Sequence, residues 1–259
     1  SVQLASTLFF QHSYYQNTGS YDQSLLFFNL GKLNDSHFNL PNKNKNFNAS
    51  GLITAQNQDF FVAFKLPIFK FRPSQCDALH LDVWWRGENI LRDGGTFSYN
   101  SSSEDLDYFS GVASHNTVQF DQHLQMPRLS RFLFGAWLKP VGLNYQSHHF
   151  SCGYQDYWQA EHYREVELTE KQITVTDTVK GFKQQAVLRW RLSPDDWQLD
   201  GHILTNGKIQ LEISALSEII ITLTQGEESR YYYHKSKLPV LEVLTTQSTT
   251  ILTTIKDLT

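Results

Sequence analysis

The sequence predicts an all-β protein, an antiparallel two-layer β-sandwich with a short helical segment at its N-terminus. Three observations carry this. From about Gly51 onward, apolar and polar residues alternate in one short run after another. Turn dipeptides punctuate those runs: Asp93-Gly94, Asp200-Gly201 and Asn206-Gly207. No helical period is read after Gly51, and no internal repeat is present, so stacked sheets are the economical way to bury the apolar faces.

Taken in order, "STLFFQHSYYQ" and "YDQSLLFFNLGKL" cluster their apolar residues as short helices do, with Gly31 as a stop for the second. "NDSHFNLPNKNKNFNASG", Asn34 to Gly51, is Asn-rich and poor in aliphatics and reads as a loop or linker. Residues 1–50 are therefore expected to be a helical remnant and linker, and residues 51–259 the sandwich. "DFFVAFKL" is apolar on nearly both faces, like a buried strand. In "LHLDVWWR", Leu79, Leu81, Val83 and Trp85 share one face, and His80, Asp82, Trp84 and Arg86 the other. "KQITVTDTV" sets Ile173, Val175 and Val179 against threonines. "QAVLRWRL" and "KIQLEISA" alternate likewise, and "PVLEVLTTQSTTILTTI" is two β-rich runs joined by polar residues.

Composition removes several function classes. The formal charge is −4, with no basic run that could track a nucleic-acid backbone. No apolar stretch is long enough to span a bilayer. The length suits a sizeable core without staples. Two cysteines, Cys76 and Cys152, allow one disulfide but define no framework. Neither C-x-x-C nor H-E-x-x-H occurs. The chain begins at Ser1 with no signal-peptide pattern, as a processed or partial chain would, so the start does not fix localisation.

The face carrying His80, Asp82, Trp84 and Arg86 has two readings. It is the wall of a cleft, with a stacking Trp and an Arg for an acidic group, or the solvated side of an amphipathic strand.

"RPSQCDALHLDVWWRGENILRDGGTFSYN" followed by "YFSGVASHNTVQFD" resembles the heparinase II/III family of polysaccharide lyases. Downstream, "QMPRLSRFLFGAW", "HYREVELTEKQITVTDTVKG" and "YYYHKSKLPVLEV" are similar to later segments of that family. The resemblance covers nearly the whole chain from Gly51. It implies a C-terminal β-sandwich of the supersandwich type, preceded in the same protein by an α/α toroid that supplies an Asn or His and a Tyr to the cleft. No segment here matches that toroid, so the resemblance implies a carbon–oxygen lyase in the whole protein and a fragment inactive alone. It also implies an acidic, uronate-containing polysaccharide as partner, such as a glycosaminoglycan or bacterial exopolysaccharide, and a periplasmic or extracytoplasmic location in a bacterium.

The implied chemistry is β-elimination. The carboxylate must be neutralised, a base must take the adjacent proton, and an acid must protonate the leaving oxygen. The resemblance points to Tyr99 as a catalytic residue, or Tyr108 if the loop register slips, and to His115. The substrate-binding candidates are Gln75, His80, Trp84, Arg86, Asn116 and Arg128; the isolated arginines Arg128, Arg131, Arg189 and Arg191 read more readily as surface charges. Asp93 and His115 match two positions that hold a structural zinc in some members. The third ligand there is a His of "H-x-D-A-L", where this chain has Gln75, a poor zinc ligand. Cys76 or His80 could stand in. The favoured expectation is no cofactor: Asp93 caps the turn and orients His115 by hydrogen bonds. The alternative function is a non-catalytic carbohydrate-binding or interaction module using the same aromatic residues.

Overall fold

The computed structural model describes residues 44–47 and 49–259, together with residues 7, 8, 19, 23–28 and 30. The chain divides into two compact units, Ser1–Lys43 and Asn44–Thr259. In the first unit, helix α1 (Gln23–Phe27) falls in the second predicted helical run. The stop at Gly31 and most of the first run lie outside the described residues.

The second unit is an all-β sandwich. Strands β1 (Lys45–Phe47), β2 (Leu52–Gln56), β3 (Phe60–Lys65), β4 (Leu81–Trp85) and β5 (Glu88–Leu91) pair in sequence order as an antiparallel meander. The first of these falls inside the stretch expected to be loop, so the linker reading of Asn34–Gly51 fails at its C-terminal end. Two-residue hairpin turns favour positive φ at both positions, and Arg86 (φ 46°) and Gly87 (φ 87°) supply it between β4 and β5.

After β5 the chain crosses to helix α2 (Ser103–Ser110), a 3-10 turn at Val112–Ser114, and β6 (Val118–Phe120). The expectation of no helix beyond the linker is therefore corrected. Ser102 accepts a hydrogen bond from the Asp105 backbone N–H, and Glu104 and Asp105 in the first turn favour the positive end of the helix dipole. A short hairpin of β7 (Arg128–Ser130) and β8 (Leu133–Phe134) follows.

The rest forms two further sheets. Strands β9 (Val141–Gln146), β10 (His149–Gln155), β11 (Glu161–Leu168), β12 (Gln172–Lys180), β14 (Gln198–Asp200), β15 (Ile203–Thr205), β16 (Ile209–Ala215) and β19 (Thr249–Asp257) make an eight-stranded sheet in the order β14-β15-β16-β19-β12-β11-β10-β9. Strands β13 (Ala186–Arg191), β17 (Ile220–Tyr231) and β18 (His234–Thr245) join β6 in the order β17-β18-β13-β6. Its β13 edges toward the meander: Leu91 bridges Leu192, the Arg92 N–H donates to the Arg191 carbonyl, and the Ser193 N–H donates to that of Ile90. The two smaller sheets thereby act as one layer facing the eight-stranded sheet. One core joins them, with Phe64 against Phe150 at 5.5 Å between ring centroids and the Trp190 indole N–H donating to Thr253 at 3.2 Å. Cys76 and Cys152 are both free and buried, and burial pushes their thiols up to about 12 and about 11.

Candidate functional site

The sequence RDGG, Arg92–Gly95, runs where three parts of the fold nearly touch. The Gly94 N–H donates to the Ser114 carbonyl, and the Gly94 carbonyl accepts from the Ser229 N–H. A Cβ on Gly94 would stand 2.6 Å from the Ser114 Cβ, and one on Gly95, at φ 78°, would overlap the Ser229 carbonyl oxygen. Both glycines are thus required by close approach. Asp93 secures the turn: its Oδ1 accepts the Gly95 N–H at 2.6 Å, and its Oδ2 meets His115 Nδ1 at 2.9 Å. This is the capped turn and oriented imidazole expected beside the resemblance.

His80 joins them, with Nε2 3.8 Å from Asp93 Oδ2, and the two imidazole rings meet edge to face at 5.6 Å. Alternation placed His80 on a face with Asp82, Trp84 and Arg86, and the structure does not. Leu79 has φ 59°, which turns the chain before β4 begins and sends His80 inward. Arg86 has likewise left the strand for the turn, where it pairs with Asp59 and Asp257, both at 2.9 Å. Asp82 and Trp84 remain half-buried on the strand; the Trp84 indole N–H donates to Asp82 Oδ2 at 3.3 Å, and burial raises the Asp82 carboxyl to about 6.

Asn116 is enclosed, and its side chain is fully employed. Its Nδ2 donates to the carbonyls of Leu81 and Arg92, at 2.9 and 3.3 Å, and its Oδ1 accepts the Arg191 N–H at 2.7 Å. It staples the meander to β13 and has no group left for a substrate. His115 is 0% exposed, whereas the Asp93 side chain is 38% exposed. His115 therefore reaches the surface only through Asp93, which corrects the expectation that its ring acts on substrate directly.

By residue type and distance, His80, Asp93 and His115 form a compact donor set, their ligand atoms all within 4.8 Å of one another. Hydrogen-bond polarity weighs against His80 as a zinc ligand through Nε2, although that atom and His115 Nε2 are both buried without a hydrogen-bond partner among the described residues. The Asn116 backbone N–H donates to His80 Nδ1 at 2.9 Å, so in the neutral ring the proton sits on Nε2, the atom that would have to bind the metal. Protonating Nδ1 instead would set donor against donor. Burial holds the His80 pKa down at about 3, against a partial pull upward from Asp93, so the ring stays neutral. Burial alone would raise the Asp93 carboxyl, but the charge and hydrogen bond of His115, helped by His80 and the Gly95 N–H, bring it below the usual range.

Tyr99 and Gln75 meet elsewhere on the same loop. Both line an open cleft of about 460 Å³ with Arg72, Ser98, Phe109 and Phe132. Gln75 Nε2 donates to the Gly95 carbonyl at 3.2 Å, which links this cleft to the Asp93 turn. Tyr99 is 67% exposed, and Arg131 holds its loop by donating to the carbonyls of Tyr99 and Ser101, both at 3.0 Å. The sequence reading did not single out Arg72. Among the described residues its guanidinium has no hydrogen-bond or ion-pair partner, and it lines both this cleft and an adjoining one that contains Lys65, Lys70 and Asp77. Arg128 borders the cleft only indirectly, donating to Ser110 at 2.6 Å and pairing with Asp107 at 3.1 Å. Tyr108, the alternative to Tyr99, is turned inward, where its hydroxyl accepts from Arg191 at 3.0 Å. Arg191 itself is fully buried, contrary to the surface reading, because α2 and β17 cover it.

The family model described as heparinase II/III-like, C-terminal, matches residues 39–250. No curated protein matches the chain. Among solved structures, a heparinase III superposes with a TM-score of 0.71 at 15% identity, over 90% of this chain and 38% of that one. A second heparinase III gives 0.70 at 15% identity, over 92% and 41%. The heparan sulfate lyase HepC from Pedobacter heparinus gives 0.63 at 16% identity, over 80% and 35%. This chain spans well under half the length of each.

Proposed function

The chain belongs to the heparinase II/III-like C-terminal family, a family of polysaccharide lyases, and from that premise we propose that it is the β-domain half of an enzyme that cleaves a uronate-containing polysaccharide by β-elimination. The observation that carries the reading is the cleft lined by exposed Tyr99, by Gln75 and by Arg72, whose guanidinium has no hydrogen-bond or ion-pair partner among the described residues.

Each of these groups has work in such a reaction. Arg72 binds the uronate carboxylate, by two parallel bonds, while the Gln75 amide nitrogen, which donates to the Gly95 and Phe109 carbonyls, holds the cleft wall in place. Tyr99 transfers a proton, as base at the carbon beside the carboxylate or as acid at the leaving oxygen. Asp93, His80 and His115 do not touch substrate in this scheme. They fix the Gly94–Gly95 turn and, through the Gly95 carbonyl, the position of Gln75. No step is routed through a metal.

An N-terminal α/α toroid of the same protein supplies the second proton-transfer group and the opposite wall of the cleft, with residues 1–50 as the connection to it. The polymer is a bacterial exopolysaccharide or a glycosaminoglycan, met in the periplasm or outside the cell. The reading is supported by the family match and by a span of only 38% of a heparinase III chain. Among the described residues, no helix is long and apolar enough to cross a membrane.

A second reading, a carbohydrate-binding module without chemistry, is favoured by the burial of His115, which leaves Tyr99 as the exposed member of the two expected catalytic residues. The test is to assay the protein together with its toroid on hyaluronate, heparan sulfate, alginate and polygalacturonate, following ultraviolet absorbance of the unsaturated product. Product from at least one polymer supports the lyase. Binding without product from any of them supports the module.

A further inference from the structure

The tip of the β17–β18 hairpin carries three consecutive tyrosines, Tyr231, Tyr232 and Tyr233, all largely exposed. Tyr231 pairs with His234, so Tyr232 and Tyr233 form the two-residue turn. Tyr233 has φ 64°, a conformation that favours Gly or Asn and is costly for an aromatic residue. Phe97, on the loop before Tyr99, has φ 61°. These two left-handed aromatics hold one another: their rings stack at 5.4 Å with 16° between planes, and the Tyr233 N–H donates to the Phe97 carbonyl at 2.8 Å. Phe97 stacks in turn on Phe109, which lines the cleft, at 5.6 Å.

This clamp sets a second pair of rings side by side in solvent. Ser98 Oγ donates to the Tyr232 hydroxyl at 3.2 Å, and the rings of Tyr99 and Tyr232 lie 6.3 Å apart at 40°. They are 67% and 65% exposed. Strained backbone that keeps apolar rings out of the core marks a surface kept for contact. A tyrosine offers a flat apolar face for the C–H face of a pyranose, a hydroxyl for its polar edge, and little side-chain entropy to lose.

We infer that Tyr232, clamped beside Tyr99 by the Phe97–Tyr233 stack, is a stacking subsite for the sugar ring next to the one that is cleaved. This rests on the reading of the cleft as the seat of an acidic polysaccharide. Arg72, which lines that cleft and has no hydrogen-bond or ion-pair partner among the described residues, gives the positive charge that favours such a polymer over a neutral partner.

The test is affinity electrophoresis of the chain through gels containing hyaluronate, heparan sulfate or alginate, with Tyr232→Ala and Tyr232→Phe compared with wild type. Stacking needs the ring alone, so Tyr232→Ala should weaken retention about fivefold or more and Tyr232→Phe should stay within about twofold of wild type. Unchanged retention in Tyr232→Ala, with wild type retained, overturns the subsite and leaves the polysaccharide reading standing. Equal losses in both variants assign the effect to the Ser98 hydrogen bond and overturn stacking. A wild-type chain retained by none of the three polymers overturns the subsite, and the assay of the protein with its toroid then decides the lyase reading separately.

Discussion

Arg164 on β11 lies directly opposite Asp177 on β12, and the guanidinium donates to the carboxylate from Nε at 2.7 Å and from Nη2 at 3.1 Å, with both side chains fully buried. The remaining nitrogen, Nη1, donates to the carbonyls of Leu79 at 2.6 Å and Asn116 at 2.7 Å. Those carbonyls flank His80 and His115 in sequence. One ion pair in the eight-stranded sheet therefore anchors the segments that carry the cluster. Burial would raise the Asp177 carboxyl, but Arg164 and the His162 hydrogen bond keep it below the usual range.

Breaking that pair from one side leaves an uncompensated buried charge. Asp177→Ala should cost about 3–5 kcal/mol, whereas the double replacement Arg164→Met with Asp177→Leu should cost clearly less. Urea unfolding checks this; a single-variant loss under about 1 kcal/mol would remove the pair as an anchor.

His80 gives stability a pH slope. Its folded pKa, about 3, lies below the ordinary value of 6.5, so the unfolded chain binds the proton more readily. The stabilisation is fully present above pH 6.5 and is lost as pH falls toward 3, by up to about 1.4 kcal/mol per unit. His162 is shifted the same way by burial and adds to the slope. His80→Asn, whose amide oxygen can still accept the Asn116 N–H, should flatten the slope between pH 6.5 and 4.5 in denaturation midpoints. An unchanged slope would place the titration elsewhere.

The cluster should be metal-free in operation. Nitrogen-15 NMR of the histidines should show His80 protonated on Nε2 and His115 on Nδ1, and EDTA should leave the melting temperature unchanged. Stoichiometric zinc in protein purified without added metal would contradict the hydrogen-bond assignment at His80.

Gly95 tests the crossing beneath the cleft. Gly95→Ala adds a Cβ at positive φ against the Ser229 carbonyl and should cost about 2 kcal/mol or more. Calorimetry measures the loss; a neutral substitution would mean that the turn can move away from β17.

Much of the sandwich was legible because a strand's period is two. The alternation in β12 and β16 appears as the buried pattern of those strands. The Asp93–His115 contact followed from the resemblance and the turn. What stayed hidden depended on single dihedral angles or on partners distant in sequence. Nothing local marks Leu79 for positive φ, so His80 was assigned to the wrong surface. Helix α2 buries only Phe109 and Ser110, too little for a helical period to stand out, although its Ser102 cap was there to read. Asp177 alternates in register with Ile173, Val175 and Val179, and its pairing with Arg164 and His162 explains an acid on that face. Arg72 and Tyr232 belong to the surface, where composition shows a residue but not what it faces.

Tyr99→Phe in the protein joined to its toroid tests the central claim most directly, with polymer binding and release of unsaturated product measured on the same preparation. The account predicts unchanged binding and a kcat lowered by about a hundredfold or more, as loss of a general acid or base requires. An unchanged kcat would contradict it and return Tyr99 to the surface as a contact residue only.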